Sequence, residues 1–171
     1  MLIIRPERKE YYTRITEMNN LAFKQENEGR LVENLRKNTD FIPGLSLVAE
    51  EDNELVGHIL FFPIKIINDK LIHTSLALAP MSVHPSRQKK GIGSALVRQG
   101  LKAAKEKGFK SVIVVGHANY YPRFGFKPAS GWNIKAPFDV PKDVFMAVEL
   151  TENGLKNVAG TVKYPDEFND V

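Results

Sequence analysis

The chain reads as a single α/β (α+β) domain with a mixed, mostly antiparallel central sheet of six to seven strands and about four flanking helices. Three observations predict this. Two amphipathic helices follow a short first strand. Residues 45–83 form an antiparallel meander around two turn signals, and that meander ends in an apolar strand feeding a polar, glycine-containing turn and a third helix. With 171 residues and 43% hydrophobic content the chain can enclose one core, and no linker-like run interrupts it. The domain is expected to fill residues 1–171, with a core over about 2–150 and a C-terminal extension over 151–171.

In order, residues 2–5 are an apolar strand ended by Pro6. Tyr11, Ile15, Met18, Leu21 and Ala22 then recur at three- and four-residue steps, and Leu31, Val32 and Leu35 repeat that pattern within residues 28–37. Residues 45–51 and 54–67 alternate or run apolar around Asp52-Asn53, a hairpin turn, and Asn68-Asp69-Lys70 reverses the chain into residues 71–83. Pro80 has no N–H for the ladder, so it implies an edge, a bulge or a break in pairing. Ile92, Leu96, Ala103 and Ala104 give the next helix one apolar face, and Gly108 stands where a C-terminal cap belongs. Residues 111–115 are a β-branched run suited to a strand buried on both faces. A short helix over 118–124 and strands near 126–128 and 145–150 complete the set. Residues 129–141 read equally well as a loop near an acceptor or as a plain surface excursion.

Composition narrows the chemistry. There is no cysteine, which excludes disulfides, thiolate metal sites and a Cys nucleophile, and no metal is expected. The N-terminus meets Arg5 and Glu7 at once and no apolar run reaches ~18 residues, so neither a signal peptide nor a membrane span is expected and the cytoplasm is the expected location. The net charge is +4, yet both signs alternate along most of the chain. Basic residues concentrate over 87–90 and 102–110, and the second group reads as a solvated surface. Without zinc spacing, an RNA-binding aromatic motif or a helix-turn-helix signal, nucleic acid is a disfavoured partner.

The densest signal is Gln88-Lys89-Lys90-Gly91-Ile92-Gly93-Ser94, which opens a helix directly after a strand. A helix start offers free N–H groups and the positive end of its dipole, and glycines let a phosphate approach the backbone. An ATP-binding P-loop would need Lys after its last Gly, where Ser94 stands. A dinucleotide fingerprint would need Gly or Ala where Leu96 stands and an acidic residue near Lys110. Both fail, leaving another pyrophosphate cradle or a plain strand-to-helix turn.

Val83-His84-Pro85 followed by Gln88, Gly91 and Gly93, and then Tyr121-Pro122-Arg123-Phe124-Gly125-Phe126, together resemble the GNAT superfamily of acyl-CoA-dependent N-acyltransferases over about residues 2–150. The segments 145–150 and 160–168 are similar to a bacterial subgroup of predicted N-acetyltransferases. The resemblance implies a sheet splayed at an acetyl-CoA site, where Met81, Ser82 and Val83 pair with the pantetheine arm and supply an oxyanion N–H. It implies that Gln88, Lys89, Lys90, Gly91, Ile92, Gly93 and Ser94 hold the pyrophosphate, with Arg87 and Lys89 adding positive charge. Tyr121 becomes the general acid, with Tyr120 beside it as the alternative.

Many members of the family carry an acidic base on a central strand, but residues 75–83 and 111–115 contain neither Asp nor Glu. His117 is the candidate base, with His58 second. Glu26 and Glu28 either bind a cationic amine or simply favour a helix start. The implied activity is acetyl transfer from acetyl-CoA to a primary amine by direct attack in a ternary complex. The alternatives are a non-catalytic CoA-binding regulatory module and a weaker nucleic-acid-binding role. The resemblance also admits a homodimer.

Overall fold

A computed structural model describes residues 1–170. The strands are β1 (Leu2–Pro6), β2 (Ser46–Glu51), β3 (Glu54–Asn68), β4 (Leu71–Val83), β5 (Ser111–Val115), β6 (Lys127–Pro128), β7 (Ile134–Lys135), β8 (Phe145–Glu149) and β9 (Gly160–Lys163). The α-helices are α1 (Tyr12–Phe23), α2 (Asn27–Arg36) and α3 (Ile92–Glu106). Hydrogen-bonded neighbours follow the order β1-β2-β3-β4-β5-β8-β6, and β9 pairs with β3 and β7. The β4–β5 and β7–β9 pairs are parallel. The β1–β2, β2–β3, β3–β9, β5–β8 and β6–β8 pairs are antiparallel.

This is the expected mixed, mostly antiparallel architecture, with two differences of detail. The short helix expected over 118–124 is a 3-10 turn, Tyr121–Phe124, because Pro122 opens it and Gly125 leaves it in the left-handed conformation at φ 97. The strands β7 and β9 were not expected. β7 has two residues, too few for any alternation to register.

The chain forms two compact units. One comprises Met1–Phe62, Ala79–Ala103 and the segment from Asp166 onward; the other comprises Pro63–Leu78 and Ala104–Pro165. In the first, α1 and α2 lay Ile15, Leu31, Val32 and Leu35 on Val48, Leu60 and Phe62 of β2 and β3. The tail closes on this core through Phe168, and Asn38 Nδ2 donates to Glu167 Oε2 at 3.0 Å.

A buried polar network ties the same elements together. Arg36 at the end of α2 donates to both oxygens of Glu7, at 2.8 and 3.1 Å, and Ser46 Oγ donates to Glu7 Oε1. His58 Nε2 lies 2.8 Å from Ser46 Oγ, while His58 Nδ1 is buried without a partner. A neutral ring protonated on Nε2 satisfies all of these contacts and leaves the Nδ1 lone pair bare. His58 is therefore a framework residue at 0% exposure, which removes it as a candidate base.

In the second unit, Val112, Ile113 and Val114 of β5 are buried, with Leu76 and Ala77 of β4 on one side and Ala147 and Val148 of β8 on the other. The run of β-branched residues reflects a strand covered on both faces. The β4–β5 ladder consists of Leu76↔Val112 and Ala77↔Ile113. Pro80 lies beyond it and follows a cis peptide bond from Ala79. Since β4 lies between β3 and β5 in the strand order, Pro80 does not mark an edge strand, which leaves a bulge or a break in pairing.

Candidate functional site

Within the first unit, the end of β4 and the start of α3 are joined by a short connection with little freedom. Ser82 is buried at 3% exposure, which puts Met81 and Val83 on the opposite face of the strand, half-buried. His84 N–H donates to the Val56 carbonyl at 2.8 Å, carrying the β3 contact past the end of β4. His84 Nδ1 accepts from the Ser86 N–H at 3.2 Å and fixes the 3-10 turn Pro85–Arg87. Gln88 then reaches back, its Nε2 donating to the Val83 carbonyl at 3.1 Å. The Gln of the motif thus braces the loop against its own strand.

Two residues of the loop take left-handed backbone, Lys89 at φ 65 and Gly91 at φ 84. No atom lies within 4 Å of where a Gly91 Cβ would stand, so this glycine is required by conformation and the space over it is open. The first α3 bond runs from the Ala95 N–H to the Gly91 carbonyl at 3.0 Å, so the Ile92 and Gly93 N–H groups precede the helical ladder. Ile92 is buried at 4%, so it offers the loop only its backbone. Gln88, Lys89 and Lys90 are exposed and Ser94 is half-buried. A helix N-terminus flanked by two lysines that form no ion pair among the described residues suits a diphosphate.

Arg87 departs from expectation. Its guanidinium is paired with Glu51 and, at 3.2 Å, with Glu54. Those carboxylates neutralise it, so Lys89 and Lys90 carry the loop's positive charge.

In the second unit, the chain leaving β5 turns sharply. Gly116 N–H donates to the Val144 carbonyl at 3.0 Å, and the Tyr120 and Tyr121 N–H groups both donate to the His117 carbonyl, at 3.1 and 3.3 Å. The Tyr121 ring lies on Gly116, where a Cβ would meet ring carbon Cε2 at 2.3 Å. It also packs edge-on against Tyr120 and Phe126, with centroids 5.1 and 5.6 Å away. Burial, with a smaller contribution from Tyr120, pushes the Tyr121 phenol up to about 12. Tyr120 is turned to the surface, with the Arg123 guanidinium 4.5 Å from its ring centroid. The two tyrosines are therefore distinct, and Tyr121 is the one held in a desolvated setting. His117 is exposed on the same turn.

Glu26 and Glu28 belong to the start of α2. Glu26 precedes its first residue and pairs with Arg30 at 3.3 Å, and Glu28 accepts from Gln25 Nε2 at 2.9 Å. The 129–141 segment holds a 3-10 turn, Ala129–Trp132, and β7, and borders a cavity of about 180 Å³ lined by Ile134, Phe138, Val140 and Phe145. Sequence reasoning missed the Glu7 and Ser46 partners of His58, the Arg36 pair with Glu7 and the need for Gly116. Only the Gly116 position, directly after a buried strand and before a Tyr pair, carried any signal.

Among the described residues no helix is long and apolar enough to cross a membrane, and no group of three His, Cys, Asp or Glu side chains could hold a metal ion.

Residues 12–126 match the Acetyltransferase (GNAT) family. The uncharacterized N-acetyltransferase YjhQ of Escherichia coli (strain K12) is 37% identical over 133 residues, 75% of this chain and 72% of that protein. A crystal structure of the GNAT family N-acetyltransferase YhbS from Escherichia coli in complex with CoA is similar at a TM-score of 0.91 and 26% identity, covering 98% of this chain and 92% of that one. A GNAT family acetyltransferase from Brucella melitensis, in complex with acetyl-CoA, is similar at a TM-score of 0.80 and 31% identity, covering 98% of each chain. With the strand-loop-helix cradle and the Tyr121 turn in place, the matched span and these likenesses establish that the chain belongs to the GNAT family of acetyltransferases.

Proposed function

We propose that the chain transfers an acetyl group from acetyl-CoA to a primary amine of an acceptor by direct attack in a ternary complex. The observation that carries this reading is the loop from Gln88 to Ser94, where left-handed Lys89 and Gly91 open the backbone at the head of α3. The two CoA-bound relatives support the same ligand. Acetyl-CoA supplies an activated thioester carbonyl. The N–H groups at the α3 start, with Lys89, Lys90 and the half-buried Ser94, hold the pyrophosphate. The Met81–Val83 strand end offers backbone groups to the pantetheine amides and one N–H to the developing oxyanion.

Tyr121 acts at the leaving group. Burial of the Tyr121 phenol, with a smaller contribution from Tyr120, keeps it protonated at neutral pH, so it has a proton to offer the departing sulfur. Tyr121 is the proposed general acid, donating a hydrogen bond and then its proton to the departing sulfur. His117, exposed on the same turn, is the proposed route for the amine's proton.

The test is acetyl-CoA turnover with a panel of primary amines, comparing wild type with Tyr121→Phe. The expected result is turnover lowered roughly a hundredfold with acetyl-CoA affinity changed by less than about twofold. Unchanged turnover would remove Tyr121 from the mechanism. Binding of acetyl-CoA with no turnover on any amine would favour a non-catalytic CoA-binding module.

A further inference from the structure

The basic stretch 102–110, which the sequence marks as a solvated surface, forms part of a cavity in the second unit that the acetyl-transfer chemistry does not use. The cavity holds about 500 Å³. Lys107 and Lys110 enter it from the turn between α3 and β5, Lys156 from the turn after β8, and His73 from β4. No Asp or Glu lines it, and among the described residues none of these four side chains forms an ion pair. Three lysines from two separate segments thus line one concave space with no acidic residue among its lining. The carbonyl end of α3 adds roughly half a negative charge, far less than the three lysines. Such a concentration of positive charge in a concave space attracts an anion.

The walls are fixed. The Leu150 N–H donates to the Lys110 carbonyl at 2.8 Å, and a Cβ on Gly154 would stand 2.4 Å from that same oxygen, so the turn after β8 lies directly on the entry to β5. The remaining lining is mixed, with Thr74, Ser111 and Asn153 polar and Ile72, Phe109 and Val158 apolar. Ile72 is 60% exposed, and Phe109 and Val158 are half-buried beside the lysines. The site lies at the opposite end of β5 from the Gly116–Tyr121 turn, and none of its residues belongs to the Gln88–Ser94 loop.

We infer that this cavity binds a small, multiply charged phosphate compound carrying a ring or other apolar group, of the nucleoside diphosphate class. Lysines recognise phosphate as point charges, and Ile72, Phe109 and Val158 supply the face on which the ring rests. The site is independent of the acetyl-CoA reading.

The test is titration of the 15N-labelled protein with ADP, with adenosine and inorganic pyrophosphate as separate arms, following the amide signals of Gly108, Lys110, Asn153 and Gly154. The expected result is a saturable shift of these amides by ADP. The double variant Lys107→Glu with Lys156→Glu should weaken it roughly tenfold or more, and Gly91→Ala should leave it unchanged. ADP should bind more tightly than pyrophosphate, and adenosine should not bind. Equal affinity for ADP and pyrophosphate would overturn the ring contact and assign the cavity to free phosphates. No shift of these amides at millimolar ADP, or the same shift in the double variant, would overturn the site.

Discussion

Charge is handled in opposite ways at two places in the first unit. At Glu7, Arg36, Ser46 and His58 every polar group but one nitrogen is satisfied by another side chain. Glu7 is 2% exposed and the Arg36 guanidinium lies 3.8 Å from the Tyr12 ring centroid. At the head of α3, Lys89, Lys90 and the backbone around Gly91 face open space, and the one arginine nearby is neutralised by Glu51 and Glu54. The first arrangement spends its charges on holding α2 and the end of β1 to the sheet. The second keeps its charges and N–H groups available, so stability and ligand recognition should be separable by mutation.

The largest expected effect is on the closed region. Glu7→Gln leaves the buried Arg36 charge without its partner, and should cost about 3–5 kcal/mol in denaturant unfolding. The same groups set the acid limit. Hydrogen bonds from Arg36, Ser46 and His58 outweigh burial and hold Glu7 down to about 2, while burial holds His58 below its ordinary value. As pH falls below about 6.5 the unfolded chain gains a proton on His58 that the folded chain resists, and between about 4.5 and 2 the same holds for Glu7. Both act in one direction, so stability is full at neutral pH and declines on acidification in two stages. Glu7→Gln should flatten the lower stage, and an unchanged acid limb in that variant would refute the assignment.

The open region should respond in the reverse sense. Gly91→Ala puts a β-carbon on left-handed backbone, at a cost of about 1 kcal/mol, and disturbs the N–H groups proposed to hold phosphate. Calorimetry should show acetyl-CoA affinity reduced about tenfold with a small change in unfolding temperature; a large loss of stability with unchanged affinity would invert the comparison. The smallest effect is expected at Arg87→Ala. Because its charge is already answered by two carboxylates, affinity should change less than about threefold. A larger drop would return Arg87 to the cradle.

What could be read in the sequence follows the same division. The strand-turn-helix geometry of the loop was legible because its requirement is local: a Gly at the left-handed position, a strand before it and an amphipathic helix after it all fall within a few residues. Its bracing was not legible, since nothing in the spacing shows that Gln88 turns back to the Val83 carbonyl or that Arg87 faces Glu51. The burial of His58 was hidden because its partners come from positions 7 and 46, and the Arg36 that pairs with Glu7 from a third part of the chain. The resemblance singled out Tyr121 over Tyr120, but the burial of its ring against Gly116 is a matter of packing that the Tyr-Tyr pair itself does not reveal. The two-residue β7 fell below the length at which periodicity can register.

Calorimetric titration of the wild-type protein with acetyl-CoA, beside CoA and ATP, tests most directly whether the Met81–Val83 strand end and the Gln88–Ser94 loop form a CoA site. Micromolar binding of both CoA forms, with ATP much weaker, is the expected result. Failure of both CoA forms to bind would contradict it.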